Sequence, residues 1–337
     1  MNTYGECLKV TIFGESHGPG IGVVVDGLPA GERIDLEEVR VQMRRRAPGS
    51  TELGTPRKET DEPLILSGLY HNQTTGSPVA AVFQNSNTRS SDYQPEIPRP
   101  SHADYTAQVK FGGHMDLRGG GPFSGRLTAC MVFAGALCRQ ILERRGIRLE
   151  ANVVQVGKAK GKELSFEMKR EILESRAAGD SVGSVLECVV TGVPAGVGGL
   201  MFGGMESRIA SLLYAIPGVK GVEFGLGFGF AEKHGSEAND PFKMEKGKVT
   251  CLSNNAGGIN GGITNGMPLV VRMAMRPTAS IAMEQQTVDL RTMEDTTLRT
   301  HGRHDPCLAV RAIPVMESAL AISLLDAMLE SGAYQSI

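Results

Sequence analysis

The sequence predicts an α+β fold, with sheets packed against helices. Helical and extended patterns are mixed without the regular strand–helix–strand order of a doubly wound sheet. The chain opens on a strand–turn–strand pattern: residues 9–13 and 21–26 are short apolar runs joined by a glycine- and proline-containing loop. Residues 267–276 place apolar side chains at alternate positions, which is typical of a half-buried strand.

Two helices have clear start signals. Asp35 is a predicted N-cap for a helix that runs to Arg46, with acidic residues in its first turn and arginines in its last, as the helix dipole favours. Ser124 is a predicted cap for a longer helix that ends near Gly146, and its apolar stripe indicates a core helix. Ser101 is a predicted cap for a short helix.

The remaining pattern predicts helices over 165–177, 205–215 and 315–331 and strands over 182–193 and 219–224. The polar stretches 47–62 and 84–101 are expected to form active-site loops, because long segments without regular structure are usually functional or disordered. No short-period repeat and no linker divides the chain, so a single domain over residues 1–337 is expected.

Composition excludes several classes of protein. Of the 337 residues 41% are apolar and 21% charged, which is ordinary for a globular protein. No basic segment followed by an apolar run opens the chain, so no secretory signal is predicted. The six cysteines are scattered without a C-x-x-C pair, which indicates reduced thiols, a cytoplasmic location and no zinc site. A net charge of −2 and no tryptophan argue against nucleic-acid binding, and no apolar run is long enough for a membrane span.

Residues 14–18, Gly-Glu-Ser-His-Gly, match the G-x-S-x-G pattern of an esterase nucleophile. That motif requires a strand, a sharp turn and a helix, whereas a second extended run follows here, so a hydrolase using Ser16 is disfavoured. Serine, imidazole and glycine amides together suit an anion or a flavin. Taken alone, His17 is equally compatible with a structural role and with a functional one.

Arginines lie beside Gly, Pro, Ser or Thr at many positions, as expected for recognition of carboxylate and phosphate groups. Arg126 is predicted near a helix N-terminus, where a bound anion would offset the unfavourable dipole. The alternative for residues 44–46 is a solvated helix end. Histidines in the segments 99–105 and 301–307 fit no familiar set of metal ligands.

Together these segments resemble the chorismate synthase family. The matching stretches are G-E-S-H-G at 14–18, T-T-G-S-P at 74–78, R-x-x-H-A-D-Y-T at 99–106, G-G-G-x-x-S-G-R at 119–126, N-N-A-G-G-I-x-G-G at 254–262, R-P-T-A-S at 276–280 and G-R-H-D-P-C at 302–307. They cover almost the whole chain in the family's order. The resemblance implies a β-α-β sandwich with helices between antiparallel sheets, and a homotetramer.

The same resemblance implies conversion of 5-enolpyruvylshikimate 3-phosphate to chorismate and phosphate, with reduced FMN as cofactor. This 1,4-anti elimination is the last step of the shikimate pathway of aromatic amino acid biosynthesis. His17 would protonate the departing phosphate, and His102 would act on the reduced flavin. Asp305 would remove a proton at flavin N5, together with Ser16 and Ser124.

The binding residues follow from the motif positions. Arg46, Arg126 and Arg303 would bind the substrate anions, with Arg45 and Arg99 as further candidates. The flavin would be held by Ser124, Gly261, Arg276, Pro277, Thr278, Ala279, Ser280 and Arg303.

Two departures from the family pattern bear on the cofactor. Pro122-Phe123 stands where many members have Arg-Ser, which removes or replaces a flavin contact. Glu52 stands near a place where a basic residue is common, which argues against an NADPH contact. A monofunctional enzyme that depends on an external source of reduced flavin is therefore expected. The alternative is a flavin- or nucleotide-phosphate-binding protein without this lyase activity.

Overall fold

A computed structural model describes residues 2–49, 53–54, 61–85, 94, 96–300 and 304–335. The α-helices are α1 Leu36–Arg46, α2 Asp104–Phe111, α3 Thr128–Glu143, α4 Phe166–Ala177, α5 Met205–Tyr214, α6 Gly235–Ala238 and α7 Ala309–Glu330. The strands are β1 Thr3–Tyr4, β2 Lys9–Gly14, β3 Gly20–Asp26, β4 Leu64–Ser67, β5 Leu69–Tyr70, β6 Gln73–Thr74, β7 Val79–Gln84, β8 Arg148–Val156, β9 Ala159–Lys160, β10 Ser184–Thr191, β11 Val219–Phe224, β12 Phe242–Glu245, β13 Lys248–Cys251, β14 Ile259–Asn260, β15 Ile263–Thr264, β16 Leu269–Met275, β17 Gln285–Asp289 and β18 Glu294–Leu298.

Two five-stranded sheets organise the chain. The first has the order β1-β2-β3-β7-β4 and the second the order β11-β16-β10-β8-β9. All the pairings within them are antiparallel, with Val10 opposite Val25 in the first and Leu186 opposite Met273 in the second. The predicted α+β class is therefore confirmed.

Helices α3 and α7 form the centre of the core. Helix α3 packs on β3 of the first sheet, α7 packs on β8 and β10 of the second, and the two helices pack on each other. They meet at Gly135 and Ser318, where a Cβ on Gly135 would lie 2.1 Å from the Ser318 Cβ. Helix α7 is long and apolar enough to cross a membrane, but most of it is buried inside the protein, which accounts for that apolarity.

Most predicted boundaries agree with the structure. Asp35 caps α1 by accepting a hydrogen bond from the Glu37 amide at 2.9 Å, and Ser124 accepts one from the Arg126 amide at 3.2 Å at the start of a 3₁₀ turn that leads into α3. The predicted cap at Ser101 is wrong: this residue has a φ of 60°, and α2 begins only at Asp104.

Helix α7 begins at residue 309, six residues before its predicted start. Pro314 lies inside it and cannot donate a backbone hydrogen bond, so the sequence pattern alone favoured a start after the proline. The surrounding core tolerates the lost bond, and Ser318 Oγ donates to the Pro314 carbonyl at 2.6 Å. The six cysteines are free, and all but Cys7 are buried.

A long-range internal repeat, not recognised in the sequence, relates the two halves. A Pro-Ala-Gly turn follows β3 at Pro29 and β10 at Pro194. Thr74 Oγ1 donates to the Pro29 carbonyl at 2.6 Å, and Thr264 Oγ1 donates to the Pro194 carbonyl at 2.7 Å. The pattern Thr-x-Gly-x-Pro leads from each threonine into the next strand, so the T-T-G-S-P segment closes a turn in this structure.

Candidate active site

The triple-glycine segment, residues 119–121, lies directly against the Gly14–Gly18 loop, defined as residues 14–18. The Ser16 amide donates a hydrogen bond to the Gly121 carbonyl at 3.2 Å. Gly119 has a φ of 64°, and a Cβ there would lie 2.3 Å from His17 Cδ2. Only glycine combines this backbone conformation with so close an approach, so the segment holds His17 against its backbone.

His102 lies against the next residue of the same segment. A Cβ on Gly120, whose φ is 89°, would be 3.2 Å from His102 Cε1 and 3.3 Å from its Nε2. The structure therefore brings His17 and His102, which are far apart in sequence, to adjacent glycines. Both imidazoles were predicted to act in catalysis.

Asp104 and Arg99 fix the other side of the His102 ring. His102 Nδ1 lies 2.6 Å from Asp104 Oδ1 and 3.0 Å from Arg99 Nη2. Arg99 also donates from Nε to Asp104 Oδ2 at 2.7 Å. Burial would raise the pKa of Asp104, but hydrogen bonds from Arg99 and His102 outweigh it and lower the pKa well below its usual value. Asp104 is thus a buried carboxylate anion beside the imidazole.

The predicted flavin segment Arg276–Ser280, defined as residues 276–280, joins this group. Ser280 Oγ accepts a hydrogen bond from Arg99 Nη1 at 3.2 Å. Burial, and then the nearby charge of Arg99, lower the pKa of the half-buried Arg276. Two neighbouring guanidinium groups favour an anion beside them.

Asp305 contacts the middle residue of that segment. Thr278 Oγ1 donates to the Asp305 carbonyl at 2.9 Å, and the Asp305 carboxylate pairs with Arg311 in the first turn of α7. Arg311 Nε donates in turn to the Arg46 carbonyl at 3.0 Å. The start of α7 is therefore tied to the end of α1.

Arg46 and Arg126 share one buried carboxylate. Arg46 Nη2 donates to Asp61 Oδ2 at 2.8 Å, and Arg126 Nη1 donates to Asp61 Oδ1. The Asp61 side chain has no exposed surface, and those of Arg46 and Arg126 are 2% and 4% exposed. The two predicted substrate arginines are therefore neighbours in the fold.

Asn85 connects this pair to the Gly14–Gly18 loop. Its Nδ2 donates to the carbonyls of Glu15 and Gly18, both at 2.9 Å, and its Oδ1 accepts from Arg126 Nε at 3.2 Å. The loop that carries His17 is thus held by an amide that also orients Arg126.

The other predicted residues lie as follows. Ser16 is buried, and Ser124 caps the turn that carries Arg126. Arg45 points to the core helix α7, where Nη1 donates to Glu317 Oε2 at 2.6 Å. Gly261 lies at the turn between β14 and β15, in a hairpin that bridges to Gly198. Arg303 and Glu52 lie outside the described residues.

Four side chains of the site have no assigned role in the sequence analysis: Asp61, Asn85, Asp104 and Arg311. Asp104 had a usable signal, because it follows His102 by two residues within a quoted motif. The other three hold their partners across long sequence separations, 65 residues for Asp61 and Arg126 and 265 for Arg311 and Arg46. No short-range sequence pattern predicts such long-range contacts.

Comparison with known proteins shows the family of the chain. The family model described as chorismate synthase matches residues 8–329. Chorismate synthase of Thermococcus kodakarensis is 46% identical over 352 residues, covering 99% of both chains, and that of Methanothermobacter thermautotrophicus is 42% identical over 355 residues, covering 98% of this chain and 95% of the relative. A crystal structure of chorismate synthase superposes with a TM-score of 0.74 at 29% identity, covering 97% of this chain and 93% of the other. The chain therefore belongs to the chorismate synthase family, a family of carbon–oxygen lyases.

Proposed function

We propose that this chain eliminates phosphate from 5-enolpyruvylshikimate 3-phosphate to give chorismate, in the last step of the shikimate pathway, with reduced FMN as cofactor. The observation that carries the proposal is the convergence of His17 and His102 on one triple-glycine segment, next to two groups of buried arginines. Family membership supplies the reaction, and the described residues fit it.

The arginines suit the substrate. It carries one phosphate and two carboxylates, and a charge-assisted hydrogen bond to such a group contributes about 1.5–3 kcal/mol. Arg46 and Arg126 share the Asp61 carboxylate, which brings two guanidinium groups together for a substrate anion. Arg99, Arg45 and Arg303 remain further candidates.

The histidines suit proton transfer. His17, beside the glycine backbone, protonates the departing phosphate. His102 is held at Nδ1 by Asp104, which leaves Nε2 directed towards Gly120 to hold or give a proton. Asp305, with Ser16 and Ser124, would remove a proton at flavin N5. A positioned acid or base typically contributes about 10²–10⁴ in rate.

The residues around Arg276 fit a phosphate-bearing flavin. Burial and the nearby charge of Arg99 lower the pKa of Arg276, which an anionic cofactor would offset. Residues 277–280 add backbone and hydroxyl groups, with Ser124 and Gly261 as further predicted contacts. When bound, reduced FMN supplies electron density that assists the loss of phosphate.

The test is anaerobic incubation of the protein with 5-enolpyruvylshikimate 3-phosphate and chemically reduced FMN. We expect chorismate and phosphate to form in equal amounts, with chorismate measured by its absorbance. Absence of turnover with reduced flavin present would refute the proposal and favour a flavin- or nucleotide-phosphate-binding protein. Labelling of Ser16 by a fluorophosphonate probe would favour a hydrolase; we expect none.

We propose a monofunctional enzyme that takes reduced flavin from an external source. Incubation with NADPH and oxidised FMN alone should then give no chorismate, and robust turnover there would contradict the proposal. Adding a separate flavin reductase to the same mixture should restore turnover, which controls for the integrity of the enzyme.

We further propose a single domain that assembles as a cytoplasmic homotetramer. One continuous apolar core includes residues of both sheets and of α3 and α7, which supports a single domain.

Three neighbouring apolar side chains suit an interface between copies of the chain: Leu200, Met201 and Phe202 are 77%, 79% and 91% exposed. Free cysteines suit a reducing compartment. Light scattering should give four times the 35.9 kDa chain mass; a monomer would contradict the assembly.

A further inference from the structure

Asp61 is a buried carboxylate at the centre of the predicted substrate pocket. Its side chain has no exposed surface, and each oxygen accepts from a different arginine, Oδ2 from Arg46 and Oδ1 from Arg126. A carboxylate in a pocket that binds anions requires an explanation, because Asp61 competes with the substrate for the same arginines.

Both arginines also donate hydrogen bonds to neutral groups. Arg46 Nη1 donates to the carbonyls of Gly125 and Arg126 and to Thr128 Oγ1, each at 3.3 Å. Arg126 donates to Asn85 Oδ1 and, at 3.3 Å, to the Gln84 carbonyl. Neutral acceptors do not offset the repulsion between two desolvated guanidinium groups, whereas a shared carboxylate does.

We propose that Asp61 is a positioning residue, which holds Arg46 and Arg126 at a fixed separation at which both guanidinium groups can bind a substrate anion. This inference rests on the proposed function. Asp61 itself does not contact the reacting atoms. It acts through Arg126, whose Nε is also bonded to Asn85 and thereby to the Gly14–Gly18 loop.

Asp326 provides a matched control. It is also a buried carboxylate, with 1% of its side chain exposed, and it also pairs with an arginine, Arg208 Nη1 at 3.2 Å. Its remaining bonds are to the amides of residues 6–8, at 2.8–3.2 Å, so it anchors the N-terminal segment. Removing the charge of Asp326 therefore shows how much a buried ion pair outside the site contributes to stability.

The experiment compares Asp61→Asn, Asp326→Asn and the unsubstituted protein. Asp61 has a φ of 49°, and asparagine tolerates positive φ as well as aspartate, so the substitution removes charge with little backbone strain. We expect Asp61→Asn to raise KM for 5-enolpyruvylshikimate 3-phosphate by about 10-fold or more, with a smaller change in kcat. Asp326→Asn should lower Tm but leave KM within about twofold.

A second readout does not depend on turnover. Adding the substrate without flavin should raise the Tm of the unsubstituted protein and of Asp326→Asn. The rise in Tm should be much smaller for Asp61→Asn. An unchanged KM and an unchanged thermal shift in folded Asp61→Asn would overturn the inference, as would an equal rise of KM in Asp326→Asn. Failure of the unsubstituted protein to turn over would instead count against the proposed function, and the thermal shift would still decide the role of Asp61.

Asp61→Glu covers the case in which Asp61→Asn does not fold. It keeps the negative charge between the arginines but lengthens the side chain in a site with no exposed surface. A raised KM in this variant supports a role in fixing the separation of Arg46 and Arg126. A KM equal to that of the unsubstituted protein contradicts it.

Discussion

His102 Nδ1 lies 2.6 Å from Asp104 Oδ1, and Arg99 contacts both side chains. The carboxylate and the guanidinium thereby fix the orientation of the imidazole, so that its opposite edge faces Gly120. A ring held at one nitrogen presents the other in a fixed direction, which a general acid or base requires.

Asp104→Asn should lower kcat by about 10-fold or more, because the neutral amide no longer fixes the ring or stabilises a proton on it. The acid or base limb of the kcat–pH profile should move as well, a change that a loss of stability alone does not produce. The double variant with His102→Ala should be no slower than His102→Ala alone. Multiplying effects in the double variant would contradict action through His102.

His17→Ala and His102→Ala should each lower kcat by on the order of 10-fold or more while the fold persists. The measurement is anaerobic turnover with reduced FMN, with circular dichroism as the check on folding. Rates equal to those of the unsubstituted protein in both variants would assign the histidines a purely structural role.

Gly119→Ala should lower kcat strongly, because its Cβ would meet the His17 ring at 2.3 Å and displace it. Gly146→Ala is the matched control: Gly146 also has a positive φ, 76°, but a Cβ there meets no atom within 4 Å. Both variants should lose some stability from the backbone strain, so Tm is measured alongside kcat. Equal losses of kcat in the two would show that strain, and not contact with His17, is responsible.

Glu32→Gln should destabilise the protein at neutral pH but not in acid. Burial opposes the Glu32 charge, yet hydrogen bonds from Arg145, Tyr334 and Arg144 outweigh it and lower its pKa to about 2. A lowered pKa contributes stability that is present above the unfolded value, 4.5, and is lost as pH falls towards 2.

The Tm of Glu32→Gln and of the unsubstituted protein should therefore differ at pH 7 and converge between about pH 4.5 and pH 2. Glu37→Gln serves as control, since Glu37 pairs with Arg44 at the surface, where such pairs contribute little. A Tm difference for Glu32→Gln that does not change with pH would contradict the ionic origin of the effect.

Local signals in the sequence predicted the elements well where the chemistry is local. The cap at Asp35 depends on amides two and three residues away, and the strand near residue 270 on a period of two. The cap at Ser101 was wrong because tertiary contacts of the Arg99–Asp104 segment, residues 99–104, impose a left-handed turn there. The start of α7 was placed late because the core outweighs the cost of Pro314.

By itself the sequence determined the family, the residue types of the chemistry and the glycines that permit close backbone approach. It also predicted that arginines would surround an anion. Only the tertiary structure decided which groups contact one another. Asp61 lies between Arg46 and Arg126, Arg311 connects Asp305 to α1, and Asn85 connects Arg126 to the Gly14–Gly18 loop. These contacts arise because α1, α3 and α7 bring distant segments together at Arg46, and no short-range preference encodes how helices pack.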